Sequence, residues 1–393
     1  MFCQSCGIQV DYESYNFCPG CGVALHETVN TQSGGQWIDR GTAASATAEN
    51  SGNRITHQVK GTFLNATQKI NSMVGEQGTI DLNLRDVFSD VLKKHAKEEG
   101  EKLFIAGTKE TTPSSWDIST SWPKPWLFSR VFLIFAVTYV LLSVATFSFH
   151  NINALPGLIM VGSFAVPFSL LIFFWETNAP QNISIYEVAK MFFIGGASSL
   201  VITLFLYSIF PVDDPDFIGA VIIGIVEEIG KFAIVAYFIK QLHTKFILNG
   251  LLIGATIGAG FAAFETMGYA LTFWDMYNEQ VMVSVMFVRA WTSIGTHVVW
   301  AAIAGAAFVV VKGDRSVYSE HFFNPKFLKL FAVPVILHAV WDMPLYALQN
   351  FYLIYIVLII VAWIFVFTFI NAGLKQIVRL NQGYQEYEEA SQG

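Results

Sequence analysis

FIGAVIIGIVEEIGKFAIVAYF, residues 217–238, is long and apolar enough to cross a bilayer, yet it carries Glu227, Glu228 and Lys231 at its middle. Anchoring in a membrane needs none of the three. On insertion scales each carboxylate or ammonium at the centre of a membrane helix costs about 2.5 to 3.5 kcal/mol, so ionisable groups at that depth point to function. Three later apolar stretches repeat the pattern: 246–273 carries Glu265, 281–311 carries Arg289 and His297, and 327–348 carries His338 and Asp342. If the six formally charged residues all faced lipid, the cost would be roughly 15 to 20 kcal/mol, more than the net stability of a typical fold. They are expected to face one another, or water, inside a helix bundle.

The rest of the composition agrees. Of 393 residues, 53% are hydrophobic and 13% charged, with a mean hydropathy of +0.48, which indicates an all-α polytopic membrane protein. Eight spans are expected, at about 126–149, 153–175, 187–210, 217–239, 246–273, 281–311, 327–349 and 351–371. The net charge of -7 argues against nucleic acid as a partner of the chain as a whole. Met1-Phe2-Cys3 begins no basic, then apolar, leader, so no cleavable signal peptide is expected and an internal span directs insertion.

All four cysteines lie near the start, as Cys3-Gln4-Ser5-Cys6-Gly7 and Cys18-Pro19-Gly20-Cys21-Gly22. Two CxxCG knuckles bring four thiolates to one point and let backbone amides approach the sulfurs, which suits tetrahedral structural zinc. Residues 1–25 resemble a short zinc ribbon; two disulfides are the competing reading. A zinc ribbon implies a reducing, cytosolic side. Putting that end in the cytosol gives cytosolic loops bearing Lys240, Lys245, Lys312, Arg315, Lys375 and Arg379, whereas the connections 151–153, 211–216 and 274–280 contain no Lys or Arg. This is the positive-inside asymmetry, and it implies a multi-pass protein of the cytoplasmic membrane with both termini cytosolic.

Between ribbon and membrane, residues 26–78 read as a flexible linker, because their polar start buries too little apolar area to offset ordering entropy. Residues 79–125 read as a cytosolic amphipathic and pre-membrane segment. There Leu84, Val87, Phe88, Val91 and Leu92 follow helical spacing, and Trp116, Trp122 and Trp126 form an interfacial belt. The membrane domain is expected over 126–371 and a cytosolic tail over 372–393. Gly250, Gly254 and Gly258 recur every fourth residue as a small-residue ridge, expected to draw Glu265 beside the fourth span.

Glu227 and Lys231, Glu265 and Tyr269, and His338 and Asp342 are i, i+4 pairs, so each pair shares a helix face. At 1.5 Å per residue, Glu227 and His338 each lie roughly 15 Å from an end of their span, near the midplane. Carboxylates and two imidazoles at one depth suit two chemistries. A glutamate acts as general base on water while His and Asp stabilise an oxyanion or protonate a leaving amine; or His297, His338 and Glu228 ligate a catalytic divalent metal with an open position. Lys231 is expected to neutralise its helix's carboxylates, and Tyr269 to act as a supporting donor. Arg289, near the outer end of a long span, is expected to snorkel outside the site.

Glu227-Glu228-Ile-Gly-Lys231, Phe264-Glu265-Thr-Met-Gly-Tyr269, His297 and His338-Ala-Val-Trp341-Asp342, in that order on four successive spans, resemble the PrsW family of intramembrane proteases, within the superfamily that includes the CAAX prenyl-protein endopeptidases. Phe174-Trp175-Glu176 also resembles the family. The resemblance covers about residues 126–371. It implies peptide-bond cleavage of membrane-anchored protein substrates, by glutamate- or metal-activated water, and favours Glu227 as the base; helix phase alone does not choose between Glu227 and Glu228. Relatives often carry Asn or Asp four residues after the third-motif histidine, where this chain has Ala301. The ribbon is an added module for a protein partner. A proton- or ion-coupled transporter or channel, or an inactive membrane scaffold, is the alternative; a transporter would be expected to show inverted repeats, and none is evident.

Overall fold

Trp126, Leu127 and Phe128 open the first membrane helix, and their backbone N–H groups donate to the carboxylate of Glu176 at 2.8, 2.8 and 2.9 Å. One side chain from the end of the second helix thus caps the first, satisfying donors that a helix start leaves without intrahelical partners. This gives Glu176 a structural task. The computed structural model describes residues 64–80, 82–214, 216–345 and 351–392, within the unit Gly61–Gly393. The four cysteines, the expected ribbon and the expected linker as far as residue 63 lie outside the described residues. Among the described residues every regular element is helical.

Six stretches are long and apolar enough to cross a membrane. They are α1 (Leu127–Ser148), α2 (Ile152–Glu176), α3 (Ile185–Ile209), α5 (Ile247–Met276), Glu279–Lys312, and Tyr352–Gln382. The fifth divides into α6 (Glu279–Thr292) and α7 (His297–Lys312), and the sixth belongs to α9 (Phe351–Gln392). Two more helices, α4 (Phe217–Gln241) and α8 (Pro325–Asp342), complete the bundle. They fall outside the six for a chemical reason: α4 carries Glu227, Glu228 and Lys231, and α8 carries Lys326, Lys329 and Asp342.

The centre of the bundle is α5 against α7. A Cβ on Gly250, Gly254 or Gly258 would meet the carbonyl oxygens of Gly305, Ala301 and His297 respectively. The glycine ridge therefore packs on α7, not on the fourth span as expected, and the two backbones touch because nothing larger than hydrogen lies between them. The same contact accounts for Ala301: a Cβ at Gly258 would lie 2.9 Å from the Ala301 side chain, so an asparagine or aspartate would drive into α5.

Other differences from the sequence reading have local causes. The expected continuous span 281–311 breaks at Ser293–Gly295, a short 3-10 turn. The hydroxyls of Thr292 and Ser293 bond back to Arg289 O at 3.2 and 2.6 Å, while Trp363 on α9 donates to Ile294 O at 2.8 Å. Side chains that offer the backbone alternative partners favour such breaks. Helix α8 ends at Asp342 rather than near 349, since Pro344 disfavours helical backbone at Met343, whose ψ is 143°. The expected tail beyond 371 continues α9 as helix.

Residues 64–74, expected within the linker, form a helix. It is held because Glu76 pairs with Arg379 at 2.8 and 3.1 Å and Lys326 Nζ donates to Val74 O at 3.0 Å. The amphipathic pattern beginning at Leu84 yields only the single turn Leu84–Val87. Phe88 stacks on Phe173 with centroids 6.1 Å apart, whereas Leu92 is exposed; two members of one expected face have separate environments.

The α5–α7 contact makes a direct prediction. Gly254→Leu should abolish a monodisperse peak in detergent size-exclusion chromatography, whereas Gly157→Ala, whose Cβ would find Leu142 at an ordinary 3.5 Å, should leave peak and melting temperature unchanged.

Candidate functional site

Lys231 on α4 is fully buried. Its ammonium lies 2.6 Å from Glu228 Oε1 and 3.7 Å from Glu227 Oε2, both of which its own helix presents at i−3 and i−4. Across the α4–α7 contact it lies 2.9 Å from His297 Nδ1. An ammonium only donates, so His297 Nδ1 accepts and the ring proton resides on Nε2, which lies 3.0 Å from Glu265 Oε2 on α5. The break before α7 makes His297 the first residue of that helix.

His338 on α8 is held from two sides. Its Nδ1 is 2.8 Å from Glu228 Oε1, and its Nε2 is 3.1 Å from Asp342 Oδ2 and 3.7 Å from Glu227 Oε2. With a carboxylate at Nδ1, that nitrogen carries a proton and donates it to Glu228. Trp300 of α7 stacks on the His338 ring, centroids 4.5 Å apart and planes 29° apart, which fixes the ring plane. The two histidine rings are 5.0 Å apart. Glu227, Glu228, Lys231, Glu265, His297, His338 and Asp342 thus form one connected network.

Tyr269 departs from expectation. It is 43% exposed, and its ring lies under the Arg289 guanidinium, 4.3 Å from carbon to centroid. Arg289 does not snorkel away: it donates to Glu265 Oε2 at 2.5 Å and to Thr266 Oγ1 at 3.1 Å. The reading that left it outside is corrected, because a lone charge near a helix end and a paired one look alike in sequence. The signal available was Glu265, a carboxylate needing a partner. Trp300 and Tyr207 were also missed. Tyr207 on α3 donates to Glu227 Oε1 at 3.1 Å, yet a tyrosine near the end of an apolar stretch reads as an interfacial residue.

A cavity of about 650 Å³ opens on this network. Glu227, Glu265, His297, His338, Asp342 and Arg289 line it, but Glu228 and Lys231 do not. The two adjacent glutamates are thereby separated in location: Glu227 reaches the cavity, and Glu228, 1% exposed, is bonded to His338 Nδ1.

Four carboxylates against one ammonium and one guanidinium leave the network at a formal charge of −2 when both imidazoles are neutral. Such an excess is costly in a low-dielectric interior; protons or a divalent cation would offset it. The donor chemistry fits a divalent cation. One carboxylate oxygen of Glu227 and one ring nitrogen each of His297 and His338 lie within 4.8 Å of one another. Glu227 Oε2 is buried with no hydrogen-bond partner, and its 3.7 Å separation from His338 Nε2 is near the about 3.4 Å edge of a tetrahedral zinc site. The carboxylate behind His338 Nδ1 is the usual support of a metal-binding imidazole. Glu228, expected among the ligands, is not in that trio; its Oε1 meets His338 Nδ1.

Residues 185–369 match the model of a family described as PrsW family intramembrane metalloprotease. A protein named Protease PrsW, from Clostridioides difficile (strain 630), is 26% identical over 187 residues, covering 45% of this chain and 75% of that protein. No solved structure matches. The matched region runs from α3 into α9 and contains every residue of the network, while α1, α2 and everything before them lie outside it. These matches support a membrane protease of the PrsW kind; a transporter, channel or scaffold is not favoured.

Arg289→Leu should leave Glu265 without its cation. Loss of one partner of a partly buried pair costs about 3 kcal/mol, and denaturant unfolding in detergent should register it; Arg289→Lys should recover part of the loss.

Proposed function

We propose that this protein hydrolyses peptide bonds of membrane-anchored proteins with Glu227 as the group that activates water. The observation that carries this reading is the contrast between the two glutamates. Glu227 lines a cavity shared with two imidazoles, whereas Glu228 does not line it and has its Oε1 committed to His338 and Lys231; each keeps a buried Oε2 without a hydrogen-bond partner.

In this reading Glu227 Oε2 takes a proton from water as its oxygen attacks the scissile carbonyl carbon, and the tetrahedral centre collapses with release of the amine. Glu228 orients His338 through Nδ1–H, leaving its unprotonated Nε2 beside Asp342 and 3.7 Å from Glu227 Oε2, where it takes up the proton that Glu227 removed from water and passes it to the departing nitrogen. His297 Nε2–H, held by Glu265 and backed by Lys231, is available to the carbonyl oxygen as negative charge develops. Arg289 keeps Glu265 in place, and Tyr269 supports Arg289 from below. Glu227, His297 and His338 would hold a divalent cation once His297 gives up either its Nε2 proton or its bond from Lys231; when bound, the cation would supply Lewis-acid polarisation of the carbonyl in place of that N–H and would acidify water.

Eight crossings are part of the proposal. Helices α4 and α8 fall short on composition only because of charges that other helices neutralise, and with 25 and 18 residues they rise about 37 and 27 Å, comparable to a hydrocarbon core of about 30 Å. With eight crossings both termini share one side, which the lysine and arginine distribution makes cytosolic. Cys3, Cys6, Cys18 and Cys21 are proposed to hold structural zinc in a ribbon that recruits a protein partner or substrate.

Two measurements test this reading. Against a single-span reporter in proteoliposomes, Glu227→Gln should lower turnover by about 10²- to 10⁴-fold, the range for loss of a general base; Glu228→Gln should lower it by about 10- to 100-fold, the range for loss of a residue behind a ligand or acid. Equal activity of wild type and Glu227→Gln contradicts the assignment. In a full chain with all four cysteines replaced by serine, metal analysis should find one divalent ion per chain, lost together with activity on chelation; activity that persists with no metal assigns the chemistry to the glutamate alone.

A further inference from the structure

The third span carried no motif in the sequence, yet α3 reaches the site with two polar side chains. Tyr207 donates its hydroxyl to Glu227 Oε1 at 3.1 Å. Thr203, four residues earlier and so on the same face, lines the same cavity. It is 3% exposed, and its hydroxyl has no hydrogen-bond partner among the described residues. A threonine in a helix ordinarily satisfies its hydroxyl on the carbonyl four residues back, as Thr256 and Thr368 do here. The Thr203 hydroxyl forgoes that bond and lies against α4, where a Cβ on Gly230 would meet it. Gly230 is three residues from Glu227, on the face of α4 that bears the network.

We propose that α3 completes the catalytic centre: Tyr207 is a positioning residue that fixes the Glu227 carboxylate, and the Thr203 hydroxyl holds water beside it. This rests on Glu227 being the base. A carboxylate on a glutamate side chain turns about its last bond with little preference, so its two oxygens are equivalent until something distinguishes them. Tyr207 binds Oε1, and Oε2 is left without a hydrogen bond and 3.7 Å from His338 Nε2. One phenol thereby selects which oxygen faces the imidazoles. Thr203 lines the cavity, but its unpartnered hydroxyl lies closed in against Gly230; a turn about its first side-chain bond brings the hydroxyl to the cavity wall, where a donor and acceptor without a protein partner hold an ordered water.

The course of α3 is consistent with this use. Met191–Gly195 forms a π turn inside the helix, which adds a residue to one turn and rotates everything beyond it by about 100° relative to an uninterrupted helix. Gly196 follows immediately, in backbone contact with Gly260 of α5. Thr203 and Tyr207 lie about two and three turns beyond that contact, on the rotated part.

The test is steady-state kinetics of the full-length enzyme in proteoliposomes on a fluorogenic single-span peptide that the wild type cuts. Tyr207→Phe should lower kcat by about 10- to 100-fold, the usual cost of losing an orienting partner, with KM within about twofold. Thr203→Val, which keeps the shape, should lower kcat by about fivefold, the worth of one hydrogen bond, and Thr203→Ser should restore it. Ser208→Ala, on the same helix with an exposed hydroxyl bonded to Phe205 O, should match the wild type. A kcat for Tyr207→Phe within twofold of wild type, with Glu227→Gln inactive, overturns this proposal and leaves the role of Glu227 standing. Full activity of Glu227→Gln overturns both. If Tyr207→Phe does not purify as a monodisperse protein, the threonine pair decides: Thr203→Val at wild-type kcat, or Thr203→Ser as poor as Thr203→Val, overturns it.

Discussion

A lysine with no exposed surface, inside a bundle that crosses lipid, has to be neutralised by its neighbours, and Lys231 is neutralised by Glu228 at 2.6 Å while it donates to His297 at 2.9 Å. That contact joins α4 to α7. The rest of the network follows from the same constraint: Glu228 also accepts from His338 and so joins α4 to α8, and Glu265 joins α5 to α6 and α7 through Arg289 and His297. None of these groups is stable alone at that depth, because removing one partner leaves an unpaired charge in low dielectric. Packing makes the approach possible, since the α5–α7 glycine contact lets His297 come within reach of Glu265 and Lys231 together.

The proposed division of labour between the two adjacent glutamates rests on their different positions around α4. Neighbours in sequence lie about 100° apart around a helix, so although both approach Lys231 and His338, only one of them lines the cavity. One turns into the cavity and the other under an imidazole. The broken helix adds to this by beginning α7 at His297, which carries that ring into the site while Ala301 and Gly305 remain on the α5 side.

Much of this was legible in the chain. Charges within apolar stretches located α4, α5, α7 and α8, and the energetic argument that they must converge is met by their hydrogen bonds. Helical spacing gave the His338–Asp342 and Glu227–Lys231 pairs. What could not be read is what depends on partners far along the chain. The glycine ridge is visible in sequence, but its partner α7 is not. Arg289 is indistinguishable from a snorkelling arginine until Glu265 is seen beside it. Tyr207 lies on a helix whose only charges, Glu187 and Lys190, pair with each other in its first turns, so nothing drew attention to it. The ordering of 64–78 depends on Arg379 and Lys326, some 300 and 250 residues away, and local composition could only suggest a linker. Which of Glu227 and Glu228 lines the cavity depends on the rotation of α4 against its neighbours.

The central claim, that buried charges from separate helices meet at one place in the bundle, is tested most directly by a double-mutant cycle on unfolding free energy between Glu228 on α4 and His338 on α8. Glu228→Gln, His338→Gln and the pair would be measured in the same detergent by denaturant unfolding. Direct contact predicts a coupling of at least about 1 kcal/mol, as for residues that share a hydrogen-bonded network. Additivity within about 0.5 kcal/mol, the behaviour of distant sites, would contradict the account.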